Sequence, residues 1–453
     1  MRLIAIILIM GCGITANATV IRKNSIRWII SGETAVGQYV TGDYYAVCPK
    51  GCTITAITPE PSDKNGTMLN PVPDGTQGYS SRGKGYNSSL NKGLHLPLSV
   101  NANDILISTT ARTPDSNKSV IHEAAILTIV GTEPPVHSFR PGYCDINVSG
   151  WTESNLNHNR LQKLAPIADT PHISETYEKV ARPWIDHQTG WSGRLIHPAY
   201  NMPDYGAHIS NIVGEIALQL NLNYSYEQKR KALIGLVQIG IDLYSILSAG
   251  SSGWYNNGGH SQGRKLPILF AGLILNNRKM LAIGKKSGDY ILRGSPGNPP
   301  SDYIHFGEDD QTFYVTQSDV DITNSSSWNP DKRNNEPAPY TSAMIGMPEW
   351  GIRHASNPER SNASWLAIYR RCCTGASFIS NALAARLMCL QNKWNHDALF
   401  DYAERYITIT QGKAYSSYSV PDEEAGWGVS AFTRKMWDKY SQSFKSDTNC
   451  SIK

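Results

Sequence analysis

Apolar residues change their spacing part-way along this chain of 453 residues, and that change limits its fold more than any other feature. Before Pro135 they come in short runs, "VGQYVTGDYYAV", "CTITAIT", "DILIST" and "EAAILTIVG", rich in β-branched residues and bounded by Gly, Asn, Ser and Pro. Such runs predict strands. Beyond Asn155 the spacing becomes three and four, as in "YGAHISNIVGEIALQLNL", where Ile209, Ile212, Val213, Ile216, Ala217 and Leu220 share one helical face. The stretch "YEQKRKALIGLVQIGIDLYSILSAG" repeats the pattern and ends on glycine, and "RKLPILFAGLILNNRKMLAIGK", "SNASWLAIYRRCCTGASFISNALAARLMCLQN", "NHDALFDYAERYITI" and "VSAFTRKMWDKYSQSF" predict further helices.

The expected architecture is mainly α: a small antiparallel β-domain over 19–135, a connector over 136–155 carrying the helix-breaking "TEPPVHSFRPGYC" boundary, and a helical domain over 156–453. Successive helices joined by glycine-bearing loops, without a fixed repeat period, predict an α/α toroid, complete or incomplete. The long Pro/Asn/Asp/Ser-rich stretch from Lys285 to Met347 reads as a surface loop or lid with one strand-like patch, "QTFYVTQSDVDI".

The N-terminus "MRLIAIILIMGCGITANA" has a basic start, an apolar run and a small-x-small ending, so residues 1–18 read as a cleavable signal peptide. Secretion or a periplasmic location is expected, with lipid anchoring at Cys12 as the alternative. The apolar run from Leu266 to Leu275 is about half the length of a bilayer span, and the mature chain is expected not to insert in a membrane. A net charge of only +4, without a Lys/Arg run, argues against nucleic acid. Export favours disulfides, with Cys48 and Cys52 of "CPKGC" as the local pair; Cys372-Cys373 lacks the spacing of a zinc site, and neither metal nor cofactor is expected.

Polar and aromatic residues crowd together at predicted helix ends. One cluster holds Trp184, Asp186, His187, Trp191, Arg194, His197, Asn201, Asp204, Tyr205 and His208; a second is "GWYNNGGHSQGRK", from Gly253; a third is "YIHFGEDDQTFYV"; a fourth contains Arg353, His354 and Tyr369. An aromatic face covers the apolar side of a sugar ring while planar polar groups take its hydroxyls. In the second cluster Asn257 and Arg264 can donate to a carboxylate, His260 can accept a proton, and a helix starting near Gly263 would point its positive end at the same place. β-Elimination of a uronic-acid chain needs these functions: a neutralised C6 carboxylate, a base for the C5 proton and an acid for the leaving O4.

Asn257, His260 and Arg264 in "NNGGHSQGRK", with Tyr205 in "MPDYG" and Tyr314 in "QTFYV", resemble the Asn/His/Arg/Tyr active sites of the α/α-toroid polysaccharide lyases acting on alginate, glucuronan and related uronans. The resemblance covers roughly Ala181 to Cys373. It implies that Asn257 and Arg264 hold the carboxylate, that His260 or Tyr205 is the base and Tyr314 the acid. An acidic polysaccharide would be the partner, with Trp184, Trp191, Arg194, Asn201, Arg353, His354 and Tyr369 as substrate contacts. Two readings stay open beside it: a glycoside hydrolase using Asp309 with another of the loop carboxylates, and a non-catalytic carbohydrate-binding protein.

Overall fold

A computed structural model describes residues 17–113, 118–288, 301–325, 340–350, 375–410 and 428–444. Residues 1–16 of the proposed leader, Cys12 among them, Cys372-Cys373 and the candidate contacts Arg353, His354 and Tyr369 lie outside the described residues, whereas Ala18, the leader's expected last residue, begins the first strand.

Nine strands form the N-terminal part: β1 (Ala18–Lys23), β2 (Ile26–Ser31), β3 (Ala35–Gln38), β4 (Tyr44–Val47), β5 (Cys52–Thr58), β6 (Thr67–Leu69), β7 (Leu98–Val100), β8 (Ile105–Ala111) and β9 (Ile121–Val130). They make a four-stranded sheet in the order β1-β2-β5-β7 and a five-stranded sheet in the order β3-β4-β9-β8-β6. The expected antiparallel pairing holds except between β4 and β9, which run parallel with Tyr44 opposite Leu127. A two-residue turn, Asn24-Ser25, closes the β1–β2 hairpin, with Asn24 in the left-handed region at φ 52°.

Alternation decides which face is buried. Ile26, Trp28 and Ile30 of β2 meet Ile54 and Ile57 of β5 and, across the sandwich, Leu106, Leu127 and Ile129 of the second sheet. The other face of that second sheet is not in water. Ile105, Ile107, Ile121 and Ile126 belong to the same apolar core as Ile209, Val213, Leu233 and Leu269 of the helices. With both faces covered, β8 and β9 are buried at almost every position rather than at alternate ones.

The helices are α1 (Ile173–Glu178), α2 (Gly206–Leu220), α3 (Tyr226–Ser248), α4 (Lys265–Ile274), α5 (Arg278–Leu281), α6 (Gly307–Gln311), α7 (Gln317–Thr323), α8 (Ile379–Leu387), α9 (Gln391–Trp394), α10 (Asp397–Thr410) and α11 (Ala431–Tyr440). α3 starts with a capping box, Ser225 accepting from Gln228 N–H while the Gln228 side chain accepts in return. With a mean hydropathy of 1.4 it is long and apolar enough to cross a membrane, contrary to the expectation from the Leu266–Leu275 run alone. However, 78% of its apolar window is buried against the rest of the protein, as in a core helix. One expected helix divides in two, because Asn276 turns left-handed at φ 52° and Asn277 caps α5 through Met280 N–H.

The mainly α, toroidal expectation is corrected. Helix accounts for 40% and strand for 18%, in sheets of four, five and two strands, and a helix-only toroid is not formed by the described residues. Periodicity identified apolar helix faces but not what they pack on, and one of their partners is a sheet. The third sheet pairs β10 (Thr312–Tyr314), inside the strand-like patch of the stretch read as a loop, with β11 (Pro348–Trp350), just past that stretch.

The sandwich and α3 are tied together by a buried arginine. Arg140 Nε donates to Asp43 at 3.0 Å and its Nη2 to Asp242 at 2.6 Å, while its backbone exchanges hydrogen bonds with the Gln238 side chain. Cys48 and Cys52 are bridged as expected, and Cys144 is a free thiol.

Candidate functional site

Two glycines bring the second cluster against α2. A Cβ at Gly206 would lie 2.3 Å from the His260 carbonyl oxygen, and Gly263 adopts φ +87° with Ser210 backbone 2.6 Å from the place a Cβ would take. Neither position accepts a side chain without moving backbone. Ala207 N–H then donates to Gly259 O at 2.8 Å, and the loop lies directly on the start of α2.

This contact places Tyr205, at the N-cap of α2, edge-on to His260, with ring centroids 4.9 Å apart at 84°. The Arg194 guanidinium lies 5.6 Å from the Tyr205 ring and donates to Asp204 at 3.0 Å. On the other side of His260, at 6.3 Å, is Trp191, which is 47% exposed and carries the Lys84 ammonium 4.7 Å from its ring centre. His260 N–H donates to Asn257 O, so Asn257 occupies the same turn. A half-exposed indole, an imidazole, a phenol and two cations form one continuous patch. Of the sequence-derived residues, the structure brings Asn257, His260, Tyr205, Trp191 and Arg194 together.

Others have different tasks. Arg264, expected to hold a substrate carboxylate, is buried and engaged by the chain itself: Nε and Nη2 donate to Asp186 at 2.9 and 3.3 Å, and Nη1 donates to the carbonyls of Gln262 and His260. His197 Nε2 bonds the same carboxylate at 2.8 Å. Burial pushes the Asp186 carboxyl up, but the charges of Arg264 and His197 and their hydrogen bonds outweigh it and hold the group at about 2. Arg264 therefore anchors the loop from below. Trp184 is 1% exposed and lies in the core, and Asn201 donates to Ala124 O and Pro183 O, which ties β9 to the segment between α1 and α2. Tyr314 Oη donates to Asp401 of α10 at 2.5 Å.

The helix that follows the loop, α4, begins at Lys265, and its positive end is already answered by the "GEDD" acids of α6. Glu308 accepts from Gly263 N–H at 3.3 Å, and Asp309 pairs with the Lys265 ammonium and accepts from Trp394 Nε1 at 2.7 Å. Burial, then repulsion from Asp309, raises the Glu308 carboxyl to about 7. Asp309, the hydrolase candidate, is thus consumed in a buried ion pair.

His305 and Asp310 form a pair that sequence reading passed over. His305 Nδ1 bonds Asp310 Oδ2 at 2.9 Å, and Asn256 N–H donates to the same oxygen at 3.3 Å. The half-exposed Tyr255 stacks on the imidazole at 3.8 Å and 24°, and Trp254 N–H donates to His305 O. A histidine five positions before an acid is the only trace of this in the sequence. Among the described residues no group of three or more His, Cys, Asp or Glu is placed to hold a metal ion.

Comparison of the chain with protein-family models, with curated proteins and with solved structures finds no match.

Proposed function

We propose that the protein is a polysaccharide lyase that cuts a uronic-acid polymer by β-elimination, and that it does so outside the cytoplasm. The observation that carries this reading is the edge-on contact of Tyr205 with His260 beside Arg194. A base aligned by an aromatic neighbour in a cationic setting is what removal of the C5 proton of a carboxylated sugar requires. Tyr205 or His260 takes that proton. Arg194 and Asn257 replace the pair Asn257 and Arg264 as the groups that meet the carboxylate, because Arg264 is buried against Asp186 whereas Arg194, although paired with Asp204, is partly exposed. Trp191 and Lys84 extend the patch to a neighbouring sugar, the indole covering its C–H face and the ammonium attracting its carboxylate.

The test is ultraviolet absorbance of the purified protein with a panel of alginate, glucuronan and other uronans, alongside release of reducing ends. New absorbance from a C4=C5 double bond, lost in His260→Ala, supports the lyase. Reducing ends without that absorbance favour hydrolysis, and binding without either product favours a carbohydrate-binding protein.

A further inference from the structure

The lyase reading leaves one chemical task open. The sequence resemblance gave the leaving-group proton to Tyr314, whose hydroxyl instead donates to Asp401. Packed against the start of the loop that carries His260, on the segment before α6, lies an imidazole with the features of a proton donor. His305 is 7% exposed, and the Asp310 carboxylate against its Nδ1 is fully buried. A carboxylate on Nδ1 fixes the tautomer, stabilises the imidazolium and leaves Nε2 as the nitrogen that exchanges a proton with a ligand. Asp310 is in turn fixed by Asn256 N–H, one residue along from Tyr255 and four before His260. Gly253 and Trp254 are hydrogen-bonded or bridged to the His305 backbone, so the same segment carries His260 at one end and holds His305 at the other. Tyr255, 50% exposed and stacked on His305, offers a second sugar-covering face.

We propose, resting on the lyase reading, that His305 is the general acid of the elimination and Asp310 its positioning residue. As the base on the Tyr205–His260 side takes the C5 proton, the C5 electron pair forms the C4=C5 double bond. The C4–O4 bond breaks, its electron pair stays on O4, and O4 takes the proton from His305 Nε2. Solvent water returns a proton to the neutral imidazole before the next turnover.

The experiment compares wild type with His305→Gln and Asp310→Asn on two substrates: the uronan that the wild type cuts, and a uronide bearing a good leaving group at C4, such as fluoride, which departs without a proton. On the polymer, His305→Gln should lower kcat by about 100-fold with KM little changed, and remove the alkaline limb of the pH–rate profile, where the acid must still hold its proton. Among the described residues, the ionisable groups that face this imidazole are Asp310, Tyr255 and Tyr303. On the fluoride, His305→Gln should approach wild-type turnover, which also shows that the variant is folded. Asp310→Asn should lower polymer turnover less and shift the alkaline limb. Equal loss on both substrates, or an unchanged rate and pH profile on the polymer, overturns the assignment while leaving the lyase intact. A wild type that forms no unsaturated product from any uronan overturns the lyase reading and this assignment with it.

Discussion

Arg264 grips Asp186 through two donors, its Nε and Nη2 reaching the two carboxylate oxygens at 2.9 and 3.3 Å, and both side chains are 2% exposed. The guanidinium also holds the carbonyls of His260 and Gln262. Asp186 thus fixes the turn that presents His260, although it has no exposed surface of its own. Asp186→Asn leaves a buried cation without its counter-charge, which should cost about 3–5 kcal/mol in urea unfolding. Because the folded carboxyl sits at about 2, below its unfolded range near 4, its contribution is complete above about pH 4. It fades as the pH falls through that interval, so the difference between variant and wild type should be constant from pH 5 upward and shrink only in acid.

His260 and Tyr205 are expected to separate from Asp186 in their effect. Both side chains are only partly buried, so His260→Ala and Tyr205→Phe should leave the unfolding midpoint nearly unchanged. Their effect belongs to the rate. Loss of the group that takes the C5 proton should lower kcat on a uronan by about 100-fold or more, and loss of its neighbour by less. Steady-state absorbance of the unsaturated product tells which of the two residues is the base, since only that variant should lose one limb of the pH–rate profile.

Trp191 tests recognition apart from chemistry. An indole that stacks on a sugar contributes about 1 kcal/mol or slightly more, so Trp191→Ala should raise KM several-fold on polymer and hardly change kcat. Lys84 acts through charge at the surface, and Lys84→Gln should make KM less sensitive to added salt. If kcat falls as KM stays constant, the indole positions His260 rather than the substrate.

Local patterns made much of this architecture legible. The β-branched run of Cys52–Thr58 and the three-four spacing in Ile209–Leu220 marked a strand and a helix correctly, and Asn257 and His260 were singled out from their loop chemistry, with Tyr205 joined to them by the resemblance. What sequence could not show was which partner each apolar face or charge would meet. One face of β8 and β9 meets strands and the other meets helices, which is why a helix-only reading failed. Arg264 looked available because Asp186 is 78 positions away in the chain. His305 drew no assignment because a single histidine in a loop shows nothing of the carboxylate that orients it, and Asp310 was hidden among neighbouring acids that point to other partners.

Glu308 completes the comparison, since its behaviour opposes that of Asp186. It is 2% exposed, Oε2 accepts from Gly263 N–H, and Oε1 is buried without a hydrogen-bond partner among the described residues. Burial and the nearby Asp309 raise its carboxyl to about 7, well above the unfolded value. The folded state therefore holds a proton that the unfolded state releases, so stability from Glu308 is complete below about pH 4.5 and is lost as the pH rises to 7. Glu308→Gln keeps an acceptor for Gly263 and removes the ionisation. At pH 4.5 the variant and wild type should unfold at nearly the same urea concentration, whereas at pH 8 the variant should be more stable, by an amount on the order of 3 kcal/mol. Asp242, raised to about 6 by burial, titrates in the same window, so the two proteins must be compared at each pH rather than one protein across pH. A variant less stable than wild type at pH 8 would mean that the Glu308 charge is held by a favourable partner, and the buried acid beneath the His260 loop would then be a carboxylate at neutral pH.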